Sequence, residues 1–210
     1  MDIKKSYLLP ISLAIGILTI FSKCTCTKEI LGCANTVYNF KIPETINPDK
    51  DSVRIGDTLF LQVLASSTVT DLQTGQTIDY SGTANLGNVV TILRFNADST
   101  AGAINNFYLD ILSGLKVGSI DPTSEIEVTF VEKNGDYNFK LSIVPKDTGR
   151  YVITIGDAAN VYRKDDKCTK ANFAISFEQT NQHVYLLNKW RPDLLLDSNG
   201  QKHVYYFKVY

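Results

Sequence analysis

Histidine is almost missing from this chain: His183 and His203 are the only 2 among 210 residues, so general acid–base chemistry lacks its commonest carrier. Missing too are the serine-nucleophile elbow, the phosphate-cradling glycine loop, the dinucleotide fingerprint and the zinc-protease helix. The reaction classes those motifs serve go with them. Lys and Arg number 21 against 22 Asp and Glu, for a formal net charge of -1, and no basic run occurs in the body of the chain. The electrostatic footprint that phosphate binding demands is absent, which excludes nucleic acid as an expected partner. Cysteine is sparse, at 24, 26, 33 and 168. Cys24-Thr-Cys26 lacks the spacing that grips zinc and has no histidine near it, so neither a metal site nor a cofactor is expected. With no catalytic residues in view, the chain reads as a non-enzyme.

What is present is a globular composition, 44% hydrophobic and 20% charged, in a length that suits one large domain or two small ones. The first residues look like an export signal. Lys4 and Lys5 precede an apolar run from Leu8 to Phe21, and no second run of that kind follows. Cys24 after Phe21-Ser22-Lys23 loosely resembles a bacterial lipobox, with Lys23 the departure. Lipidation at Cys24, ordinary cleavage near Ser22 and an uncleaved anchor are the three readings. All place the body in the cell envelope or outside the cell, with membrane contact only through the N-terminal signal or a lipid. Residues 1–26 are therefore set apart as signal and start of a tether, and 33–210 as one elaborated domain.

In an oxidising compartment the preferred bridge joins Cys33 to Cys168, against the alternative of two separate buried thiols. Closing so long a loop would restrict the unfolded chain by about 4 to 5 kcal/mol on the entropy model.

Strand signals recur along the body. Tyr38, Phe40 and Ile42 alternate with polar residues on a first strand, and Pro43 to Lys50 reads as a loop. Leu59, Leu61 and Val63 alternate on the next strand. The preceding stretch, Asp51-Ser-Val-Arg-Ile-Gly-Asp-Thr-Leu59, resembles one found in uncharacterised secreted proteins and lipoproteins of Bacteroidetes-type bacteria, and the similarity runs on through Asp79-Tyr80 and Gly149-Arg-Tyr151. The resemblance implies an exported β-rich protein and no particular activity. Gln76–Tyr80 is a short piece among loops, Val89–Phe95 a clear strand, and 101–118 a strand by its surroundings although helical spacing also fits. Glu125–Val144 reads as one antiparallel hairpin turned at Asn134-Gly135, a pair that supplies positive φ angles.

The most informative stretch follows. Asp147, Gly149 and Tyr151 match the Asp-x-Gly-x-Tyr pattern of the corner before the sixth strand of an immunoglobulin-like sandwich, where the tyrosine hydroxyl bonds back to upstream backbone. The antibody-type strand cysteines are missing, and Trp190 comes too late to be the core tryptophan. Phe173, Ile175 and Phe177 alternate on a later strand. Gln182–Tyr185 and Lys202–Tyr205 echo each other as two further strands, which would set His183 beside His203 as solvent-facing residues rather than metal ligands. The chain stops in Val204–Tyr210, a hazardous free edge unless paired.

Asp147, Asp157, Asp165 and Asp166 lack any calcium-loop spacing and read as solvated loop charge. Trp190, beside Arg191 and Pro192, is the one aromatic singled out as a possible ligand contact. The expectation is an all-β, immunoglobulin-like β-sandwich elaborated with extra C-terminal strands. Its work is that of an exported binding or structural module whose partner is an envelope protein or a glycan. A glycan-binding or glycan-processing accessory and an assembly subunit that lends its last strand are the alternatives.

Overall fold

Alternation of apolar and polar residues dominates the described part of the chain, so strands dominate its structure. The computed structural model describes residues 36–96, 99–178, 182–194 and 196–210. The expected signal, Cys24 and Cys33 lie outside them. The described residues fall within one unit, Thr36–Tyr210, and the fold is all-β.

Two seven-stranded sheets carry it. In the first, β1 (Thr36–Asn47) lies between β3 (Leu59–Ser66) and β15 (Asp166–Phe177), with β14 (Ala158–Arg163) at the outer edge beyond β15. On the other side of β3 comes β12 (Asp136–Pro145), whose far side pairs with β11 (Val131–Lys133) and β8 (Phe107–Ser113). The second sheet runs from β2 (Ser52–Val53) through β16 (Val204–Val209), β13 (Gly149–Ile155), β6 (Gly87–Phe95) and β10 (Glu125–Thr129) to β9 (Leu115–Gly118). There β7 (Thr100–Gly102) pairs with part of β6, while a separate ribbon joins β4 (Thr68–Thr70) to β5 (Thr77–Asp79).

One core draws on both sheets. Phe40, Leu61, Phe139 and Phe173 from the first meet Ile92, Tyr151, Ile153 and Phe207 from the second. Tyr80 caps the Phe40–Phe173 pair edge-on, with ring centroids 5.1 and 5.6 Å away. A smaller cluster lies on the outer face of the second sheet, where the helix α1 (Val184–Trp190) lays Leu186 and Leu187 against Val152, Val204 and Tyr206. This explains why β13 buries side chains on both faces.

The corner at Tyr151 is a packing device as well as a hydrogen bond. Its hydroxyl donates to the Asp147 carbonyl at 3.1 Å and accepts from Asn106 Nδ2 at 3.3 Å. The ring lies over Gly149, where a Cβ would stand 2.9 Å from ring carbons. Glycine is needed there for space, not for backbone freedom. Tyr151→Phe keeps the ring and should cost about 1 kcal/mol in urea unfolding; no measurable loss would mean that the hydroxyl contributes nothing to stability.

Three sequence expectations are corrected. The first strand does not end at Pro43. It runs to Asn47, because β15 pairs with Thr36 to Glu44 and β3 takes over from Glu44 to Asn47, so Pro43 precedes the β3 ladder and removes no bond from it. The long hairpin is a short one: Asn134 and Gly135 turn with φ 57° and 84°, but they join β11 to β12, while β10 belongs to the opposite sheet. The chain changes sheets at the buried Phe130, whose N–H donates to the Leu86 carbonyl at 2.7 Å.

The echo of two histidine strands dissolves as well. Val184–Trp190 is helical, packed by its leucines, and His203 ends a 3-10 turn before β16. The helix is short and rich in residues of middling propensity, so its packing on β16 is what supports it. The terminal run is the strand it was expected to be, and it is paired on both sides, by β13 and β2. Segment 101–118 is strand, broken by a 3-10 turn at Ile104–Asn106.

Candidate functional site

The turn from Gly82 to Asn85 and the edge strand β14 face each other across a recess of about 460 Å³, lined by Asn85, Asn160, Tyr162, Arg163 and Lys164 among others. Local sequence explains its shape. Asn85, Asn160 and Asp165 adopt left-handed φ of 64°, 56° and 58°, which Asn and Asp tolerate better than other side chains. The resulting register shifts make β14 an irregular edge, a form that discourages pairing with another chain's strand. Asn172 reinforces this by accepting the Asn160 N–H at 3.2 Å.

A second recess of about 400 Å³ shares Asn85, Ala159 and Val161 with the first and is bounded by Asn88, Glu127 and Asp157. Beneath it lies a buried polar pair. Glu44 on β1 is 0% exposed and accepts a hydrogen bond at 3.1 Å from Asn88 Nδ2 on β6, so the contact crosses from one sheet to the other. Burial pushes the Glu44 carboxyl up to about 8, opposed only by that hydrogen bond. Glu44 Oε1 and Asn88 Oδ1 have no hydrogen-bond partner among the described residues. Pro43, which reads as a strand end, masks Glu44 in the sequence. The signal was there, since Phe40, Ile42, Glu44 and Ile46 continue one alternating face.

The residues singled out from sequence fall elsewhere. Trp190 is half-buried in the helix-covered cluster, 5.7 Å from the Phe95 ring and 6.3 Å from Tyr206, with the Arg150 guanidinium over it at 5.9 Å. It lines neither recess. His183 and His203 are not exposed neighbours on paired strands. His183 is buried before α1, its Nδ1 3.0 Å from the Tyr206 carbonyl and its Nε2 3.4 Å from Asp49 Oδ1. His203 Nδ1 lies 3.7 Å from Asp157.

Asp49 also accepts from the Tyr205 hydroxyl at 2.9 Å, and Tyr185 donates to Asp51. That bond and a second from Ser52 hold the Asp51 carboxyl below the usual range, while burial first, and then the bond to Asp49, pushes the Tyr205 hydroxyl up. These groups moor residues 49–51 to β16 and α1.

The other carboxylates are spent on local hydrogen bonds, to a side-chain amide or to backbone N–H groups. Asp147 accepts from Asn106, Asp157 from the Ile175 N–H at 2.8 Å, and Asp166 from the Cys168 N–H at 2.9 Å. Among the described residues no group of three or more His, Cys, Asp or Glu is placed to hold a metal ion. None of their helices is long and apolar enough to cross a membrane. No family model matches the chain, and no curated protein matches it.

Proposed function

We propose that this chain is an exported cell-envelope module that binds a partner or serves structurally, without catalysis, on an immunoglobulin-like β-sandwich extended by C-terminal strands. The observation that carries the binding role is the recess along β14. Its volume of about 460 Å³ lies within the roughly 300–1,000 Å³ of ligand sites, and its lining offers amides, one exposed ring and two basic groups. The corner hydrogen bond of Tyr151 supports the immunoglobulin-like assignment. The N-terminal apolar run supports export, by lipidation at Cys24 or by cleavage. A Cys33–Cys168 bridge suits the parallel register that sets Thr36 beside Thr169.

A glycan is the favoured partner class within the second reading, with Tyr162 in place of Trp190 as the stacking ring, since Asn85 and Asn160 flank it with amides. Strand lending is disfavoured, because Tyr205, Phe207 and Val209 of β16 belong to the chain's own core. Immobilised intact protein should retain a glycan or protein from detergent extract of its native envelope. An Arg163→Glu, Lys164→Glu double variant should bind at least about tenfold more weakly. Equal retention by the two would remove the recess from this reading, and retention of nothing would sink the binding role.

A further inference from the structure

We propose that Glu44 and Asn88 form a proton-carrying clasp between the two sheets: Glu44 is un-ionised at neutral pH, its Oε1–H donates to Asn88 Oδ1, and Asn88 Nδ2 donates to Glu44 Oε2. Half of this ring is present in the 3.1 Å bond from Nδ2 to Oε2. The other half is two buried oxygens, Oε1 and Oδ1, each without a partner among the described residues. With Glu44 ionised, both would be acceptors facing a shortage of donors. One proton shared between them would satisfy both. Buried polar atoms are seldom left unpaired, so the protonated form is the one that accounts for the pair.

Among the described residues, the strands packed against the carboxyl offer it no counter-charge. On β1 itself Ile42 and Ile46 flank Glu44 on the same face. The residues in register with it are Val63 on β3 and Phe177 on β15, and Asn88 faces it from β6, paired with Val128 on β10. None of these carries a charge. Glu127 and Asp157 border the recess beyond Asn88, and none of the residues lining that recess is basic. A carboxylate without a counter-charge in such a place is strongly disfavoured and keeps its proton instead. Burial raising Glu44 to about 8 agrees.

The pH dependence has a definite sign. The folded-state value is raised from 4.5 to about 8, so the folded chain holds a proton that the unfolded chain releases. The clasp's contribution is full below the ordinary glutamate range, is lost progressively as pH rises towards about 8, and is gone above it. The clasp is a property of the fold and does not depend on what the neighbouring recess binds.

Urea unfolding of the full chain between about pH 5 and about pH 9, with Glu44→Gln alongside, tests the clasp; the wild-type unfolding constant should rise up to about tenfold per pH unit over the lower part of that range. Glu44→Gln replaces the acid by an amide that donates and accepts in the same two places, so the slope of about tenfold per pH unit should be missing from it. Infrared spectra at neutral pH should contain the carbonyl band of a protonated carboxylic acid in the wild type and lose it in Glu44→Gln. A pH slope shared by both proteins, or a wild type without the acid band, would overturn the clasp. The infrared measurement on the wild type decides even if the variant fails to fold.

Discussion

Deletion of residues 204–210 is expected to leave no folded protein. The reason lies in where β16 sits. Val204, Tyr205, Tyr206, Phe207 and Val209 are all buried, with Tyr205 and Phe207 at 0% exposure. Their rings join Tyr151, Phe107, Phe177 and His183 from four other segments. At about 1.5 to 3 kcal/mol for each large side chain, the strand carries roughly 8 to 15 kcal/mol of burial, as much as the whole net stability of an ordinary domain. The loss goes further, because β13 would lose a ladder partner along its length and α1 the surface it rests on. Far-ultraviolet circular dichroism and a urea titration would check this. A truncated chain that unfolds cooperatively would show that β16 is an accessory.

Gly87→Ala is expected to leave a folded but weakened protein, at a cost of about 3 kcal/mol, the upper end of overpacking. A Cβ at Gly87 would stand 1.8 Å from the Val128 carbonyl oxygen and 2.8 Å from Thr129 Cα. Both are backbone atoms of the paired strand β10, so no side chain can swing aside, and the ladder itself must open next to Asn88. The melting temperature should fall by about 6 to 12 °C for a domain of this size. Gly156→Ala is the control. Its Cβ would approach nothing closer than the Val89 carbonyl at 3.7 Å, an ordinary contact, and the change should be within about 1 kcal/mol. Equal losses in the two variants would mean that close approach at Gly87 does not set the effect.

Most of the inward-facing residues could be read from the alternation. Tyr38, Phe40 and Ile42, then Leu59, Leu61 and Val63, then Phe173, Ile175 and Phe177 lie on the expected faces. Alternation names a face and leaves the partner unstated. Ile126, Val128, Phe139 and Leu141 are all inward, as their spacing requires, yet Phe130 carries the chain from one sheet to the other between them. Local signals cannot register that crossing. Nothing near Thr36 or Thr169 announces that they lie side by side in parallel, because a parallel pair needs no turn to join it.

The candidate site was harder still. Tyr162, Arg163 and Lys164 match no binding motif, and their recess arises only when the Gly82–Asn85 turn arrives from much earlier in the chain. Glu44 was hidden by one proline. Trp190 drew attention by rarity, and rarity carries no information about what a ring touches.

The parallel register of β1 with β15 sets the order in which this protein can be completed. As the chain emerges from its N-terminus, Thr36 to Glu44 must wait for residues 169–177 before that ladder can close. In the meantime β1 has only its short pairing with β3, from Glu44 to Asn47. Contacts so distant along the chain close slowly, so the first strand made is among the last to be locked. The nascent chain therefore keeps an open, apolar sheet edge for most of its synthesis.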